Sequence, residues 1–177
     1  MNAKTTGHAS TARRAFLLGV TASSLTACGF QPRGAVELPP SLQRLHIGGP
    51  RAERGLVVSI TRLLKQNGGQ VVTDRETASM RLIVAEYRAA RREVIIDPRA
   101  RLREVELTLR VTVTAEDTQG HVLLASESFD AARMMHYDPN NLLGHSEEES
   151  RLRGEMQEAV AQSILARLRQ KAIQARP

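Results

Sequence analysis

The chain of 177 residues carries 25 Lys and Arg against 19 Asp and Glu, a formal net charge of +6, with one cysteine and no tryptophan. Residues 1–27 contain Lys4, Arg13 and Arg14 and no acid, so the 150 residues after them are only mildly basic, too weakly for charge alone to argue for nucleic acid, and no nucleic-acid partner is expected. Their length suits one domain that buries roughly 70% of its unfolded surface, and a lone cysteine leaves packing, not disulfides, to hold it. Only Lys4, Lys65 and Lys171 are lysines. The arginine excess suits fork-shaped recognition of phosphate or carboxylate; a GC-rich codon usage would give the same skew.

In chain order, Arg13-Arg14 precedes the apolar run Ala15-Phe16-Leu17-Leu18-Gly19-Val20, and small residues lead to Leu25-Thr26-Ala27-Cys28-Gly29. A charged start, a short apolar stretch and small residues before a cleavage point make a secretory signal peptide. The run is too short to cross about 30 Å of hydrocarbon as a permanent helix. Cys28 stands where cleavage would leave it N-terminal, and the pattern is similar to a bacterial lipobox. That implies a diacylglycerol on the thiol and a third, palmitate-type acyl chain on the amine. At about 0.8 kcal/mol per buried methylene, three chains fix a protein to a membrane. The alternative is a buried structural cysteine beside a fortuitous apolar run. Arg13-Arg14 is compatible with both general and twin-arginine export. Gly29, where inner-membrane lipoproteins of this kind have aspartate, favours the outer membrane.

Residues 28–40 read as a lipidated tether, since Pro32, Pro39 and Pro40 remove backbone donors and favour extended chain. Residues 41–177 read as a single domain. A first strand at 42–47 stops at Gly48-Gly49-Pro50. Leu56, Val57, Ile60, Leu63 and Leu64 share one face of a helix over 55–66, which Asn67-Gly68-Gly69 ends. Residues 70–73 are extended and 74–78 form a loop. Residues 80–96 are rich in β-formers at both ends and break at Asp97-Pro98. Over 103–114 the alternation is clean: Val105, Leu107, Leu109, Val111 and Val113 point one way, and Glu104, Glu106, Thr108, Arg110 and Thr112 the other. After a turn at 116–120, a last strand over 122–134 places Leu123, Ala125, Phe129 and Ala131 on one face. Ser146-Glu147-Glu148-Glu149 is a capping-box pattern that opens a helix to about 174. Its stripe is Leu152, Met156, Val160, Ile164 and Leu168, joined by Ala159 and Ser163. The expected fold is α+β, in the order β-α-β-β-β-β-α. Two helices pack on one face of a mostly antiparallel four- to five-stranded sheet.

The inventory of reactive residues does not make an enzyme. His46, His121, His136 and His145 have no metal-ligand spacing, and no nucleophile elbow, phosphate loop or dinucleotide fingerprint occurs. No cofactor or metal is expected. His136-Tyr137-Asp138 would point to opposite faces of a strand. The cationic cluster Arg88, Arg91, Arg92, Arg99, Arg101 and Arg103 is the better lead. Folding at Asp97-Pro98 gathers it at one end of the sheet. Either these arginines form a site for a polyanion, or they are solvated charges and partners for Glu93, Glu104 and Glu106.

Cys28-Gly29-Phe30-Gln31-Pro32-Arg33-Gly34 resembles the opening of the lipopolysaccharide-assembly (LptE) lipoproteins, whose mature chains often begin Cys-Gly-(aromatic)-(polar)-Leu-Arg-Gly; Pro32 replaces the leucine. The resemblance runs on through the 42–47 strand, the helix ending Asn67-Gly68, the 104–114 strand, Tyr137-Asp138, and the final helix with Glu155-Met156. It implies a non-enzymatic outer-membrane lipoprotein, lipid-anchored and periplasm-facing. Such a protein plugs and helps assemble an LptD-type outer-membrane β-barrel and binds lipopolysaccharide during delivery to the outer leaflet. Carried over residue by residue, the basic contacts fall at Arg99 and Arg101, with Arg92 beside them, and at His145 before the last helix. An imidazole there is only partly charged at neutral pH. The other reading is a free outer-membrane lipoprotein, an envelope-binding module without a barrel partner.

Overall fold

The computed structural model describes residues 38–96, 102–136 and 142–175. Cys28, the signal and most of the tether, Arg99 and Arg101 lie outside the described residues. A 3-10 turn at Pro40–Leu42 leads into β1 (Arg44–Gly48) and α1 (Arg54–Gln66). Then come β2 (Gln70–Val72), β3 (Met80–Ile96), β4 (Leu102–Asp117), β5 (Val122–His136) and α2 (Leu142–Gln174). The sheet order is β2-β1-β3-β4-β5. The α+β class and the element order are as expected. The sheet, however, is mixed: β1 runs parallel to both β2 and β3, while β3-β4-β5 is antiparallel. Parallel pairing needs a crossover, and α1 supplies it by carrying the chain back from the end of β1 to the start of β2.

Local chemistry sets the ends of α1. The Glu53 carboxylate accepts the N–H of Gly55 at 2.7 Å and of Leu56 at 3.4 Å, filling two of the orphan donors at a helix start. At the other end Gly68, at φ +82°, donates to the Lys65 carbonyl, and Gly69 donates to Leu64. This is the left-handed glycine stop that Asn67-Gly68-Gly69 predicts. Leu56, Ile60 and Leu64 are buried, and Val57 and Leu63 half-buried.

On β4, Val105, Leu107, Leu109, Val111, Val113 and Ala115 are all buried, matching the predicted face and extending it. β5 departs from expectation. Three of its residues span what two span on β4 (Val113 pairs Glu127, Ala115 pairs Leu124), and Ser126 sits at φ +55°. This bulge reverses the phase of alternation. Leu124 is buried where Leu123 and Ala125 were expected, Ala125 is exposed, and Phe129 and Ala131 keep the inner face.

Helix α2 begins at Leu142, so Ser146 lies inside it instead of capping it. Glu148 and Glu149 pair forward with Arg151 and Arg153, and such pairs one turn apart support helix through this stretch. The stripe Leu152, Met156, Val160, Ile164 and Leu168 is buried as predicted, with Ala161 and Ala172 added. Ser163 instead faces solvent and donates to the Ala159 carbonyl at 3.0 Å. α2 lies along β5 and β4 and against α1; among the described residues no helix covers the other face of the long hairpins.

Candidate ligand and partner surface

The face of the sheet opposite α1 and α2 is built by register. Rows of facing residues cross β3, β4 and β5: Glu86, Thr112 and Ser128; then Arg88, Arg110 and Asp130; then Ala90, Thr108 and Ala132; then Arg92, Glu106 and Met134. Their charges neutralise one another locally. Arg88 Nη2 donates to Glu86 at 2.7 Å. Arg92 donates from Nε and Nη2 to one Glu106 oxygen at 3.1 and 2.7 Å. Arg110 Nε donates to Asp130 at 2.6 Å; this hydrogen bond, then the carboxylate charge, raises the Arg110 guanidinium above its ordinary range. Thr112 and Ser128 share a hydrogen bond of 2.9 Å. Between the second and fourth rows only Ala90, Thr108 and Ala132 project, and a shallow depression of about 580 Å³ results, flanked by Arg88, Arg110 and Asp130.

Alternation splits the cationic cluster. Arg92 lies on this open face, whereas Arg91 faces the helix side, opposite Leu107 in register, with Nε 3.8 Å from Glu149 of α2. His145 is one turn before Glu149 on α2 and so lies on the Arg91 side. The sheet stands between Arg92 and His145, and the structure does not bring those two together. Two further pairs tie α2 to the inner margin of β5: Arg167 with Glu127 at 2.8 Å, and Arg133 with Glu155 at 3.8 Å.

Of the two readings open for the arginines, the paired one holds for Arg92, through Glu106. Asp130 as the partner of Arg110, and Glu86 as that of Arg88, were missed. The signal that would have found Asp130 is cross-strand register, which the β5 bulge displaces. Asp117 and His121 bracket the β4–β5 turn, His121 Nδ1 lying 2.9 Å from the carboxylate. Among the described residues no cluster of His, Cys, Asp and Glu is arranged to hold a metal, and no helix is long and apolar enough to cross a membrane.

Residues 35–168 match the family model LptE, described as lipopolysaccharide-assembly. The crystal structure of a minor lipoprotein from Acinetobacter baumannii is 28% identical, with a TM-score of 0.61 over 77% of this chain and 98% of that one. The solution NMR structure of an uncharacterized lipoprotein B from Nitrosomonas europaea is 25% identical, with a TM-score of 0.64 over 77% of this chain and 88% of that one. The rare lipoprotein B from Shewanella oneidensis shares the fold at 18% identity, with a TM-score of 0.63 over 74% of this chain and 97% of that one. No curated protein sequence matches significantly.

Proposed function

Because this chain belongs to the lipopolysaccharide-assembly (LptE) family, we propose that it is a non-enzymatic outer-membrane lipoprotein, anchored through Cys28, that seats in an LptD-type β-barrel. There it helps the barrel assemble and binds lipopolysaccharide on its way to the outer leaflet. The observation that carries the reading is the family match along residues 35–168, combined with an open sheet face whose charges pair flush with the surface. A plug in a large barrel must contact a polar lumen. A skin of side chains already paired with one another suits that, because docking then strands no lone charge.

The test is to extract the native protein from membranes in detergent, capture it by an affinity tag and identify what comes with it by mass spectrometry. The expected partner is a very large outer-membrane β-barrel in near-stoichiometric amount. Recovery without any barrel would favour the free envelope-binding module instead. For the ligand, Arg99→Glu combined with Arg101→Glu should weaken lipopolysaccharide binding roughly tenfold or more, since well-formed Arg–phosphate bonds contribute about 1.5–3 kcal/mol each. Barrel capture should stay intact; its simultaneous loss would assign these arginines to the barrel contact.

A further inference from the structure

A second basic feature sits at the opposite end of β3 from Ile96. Arg81 and Ile96 are fifteen residues apart on one strand, about 50 Å of extended chain. Here the register row is Val72, His46, Arg81 and Glu116, across β2, β1, β3 and β4. A pocket of about 240 Å³ opens beside it, lined by His46, Gly48, Gly49, Arg75, Arg81 and Ile83. Two guanidinium groups and an imidazole line it, and among the described residues no carboxylate does.

The donors in this pocket are under-used. Glu116, on the neighbouring strand, accepts from Arg81 Nη1 at 2.9 Å and lies 3.7 Å from Arg75 Nη2, so one carboxylate faces two arginines. Arg81 Nε is buried and has no hydrogen-bond partner among the described residues. A buried donor in that state is costly. His46 Nδ1 lies 3.3 Å from the Val72 carbonyl. Its other nitrogen turns toward Gly48, where an added Cβ would come within 3.2 Å of it. Gly49, at φ +114°, passes so close to β3 that a Cβ would meet the Val84 carbonyl oxygen at 2.4 Å. Both glycines line the pocket without adding a side chain to it.

We infer that this pocket is a binding site for a single phosphate group, held between the guanidinium groups of Arg81 and Arg75 that line it. Its volume is below the roughly 300–1,000 Å³ of drug-sized sites, which suits one phosphate and its immediate substituent. The site stands independently of the barrel and hairpin reading above.

The test uses the full chain, nitrogen-15 labelled in detergent, titrated with inorganic phosphate and with dihexanoyl phosphatidic acid. The amides of Gly48 and Gly49 and the Nε–H of Arg81 should shift together and saturate. Arg81→Lys keeps a cation for Glu116 but loses the planar guanidinium, and should weaken phosphate binding roughly tenfold. Arg75→Gln, at an exposed position that carries no folding risk, should weaken it roughly two- to fivefold. Tighter binding of the phosphatidic acid through the same resonances assigns a lipid headgroup, and equal or weaker binding assigns free phosphate. Absence of saturation, or unchanged phosphate affinity in both Arg81→Lys and Arg75→Gln, overturns the site.

Discussion

The two faces of β4 share one backbone and differ in nearly every other respect. Toward the helices, Val105 to Ala115 are buried at every second position. Away from them, Glu106, Arg110 and Glu116 pair with charges on β3 and β5. The inner face fixes register, because a slip of one residue would drive Glu106, Thr108 and Arg110 into the core. The outer face fixes little of the stability, since exposed ion pairs are individually weak. It is therefore the face whose chemistry can be given over to a partner or ligand.

The sharpest way to break this contrast is to put the same side chain on both faces. Leu109→Asp would bury a carboxylate opposite Ala89 and Ala131, at a cost of several kcal/mol. It should prevent folding or leave a molten product in thermal melts. Thr108→Asp, one residue away on the open face, should melt close to wild type. Similar melts for the two would mean that the faces are not distinct in energy.

A finer contrast lies on β5, where Met134 and Met135 are neighbours on opposite faces. Met135 is 2% exposed and Met134 50%. Met135→Ala should cost about 2–4 kcal/mol through lost burial and the cavity left behind. Met134→Ala should change stability by less than about 0.5 kcal/mol. Chemical denaturation of both reads the difference directly, and equal midpoints would place the sheet edge differently from the structure.

The sequence foretold these faces unevenly, for physical reasons. The alternation from Val105 to Val113 is unbroken, so the β4 assignment needed no tertiary knowledge. Asn67-Gly68-Gly69 named the end of α1 because only glycine takes that backbone conformation cheaply. On β5 the same logic failed at Ser126, a residue at φ +55° with nothing in its type to announce a bulge. Parallel pairing of β1 was not legible either, since strands of five and three residues carry too little pattern to show direction. For the candidate surface, the arginines could be read but most of their partners could not. Which acid meets which arginine depends on register between strands, and a single bulge resets it.

The smallest expected effect lies where the two faces end, at the β4–β5 turn. Asp117 accepts the backbone N–H groups of Gln119 at 2.8 Å and His121 at 2.9 Å, and its other oxygen meets the His121 ring. The His121 side-chain hydrogen bond is the main reason its carboxyl is held below the ordinary carboxylate value, with the backbone donors adding to it. A carboxyl whose pKa is lower folded than unfolded stabilises the fold above the unfolded value, and that contribution fades as pH falls through the folded one. Asp117→Asn keeps one acceptor for the turn but removes the charge. Wild type and variant should therefore differ in melting temperature at pH 7 and converge as the pH is taken below the carboxylate range. Because the turn is exposed, the gap should be narrower than for either buried substitution. A gap that persists unchanged into acid would show that the turn depends on the shape of Asp117 and not on its charge.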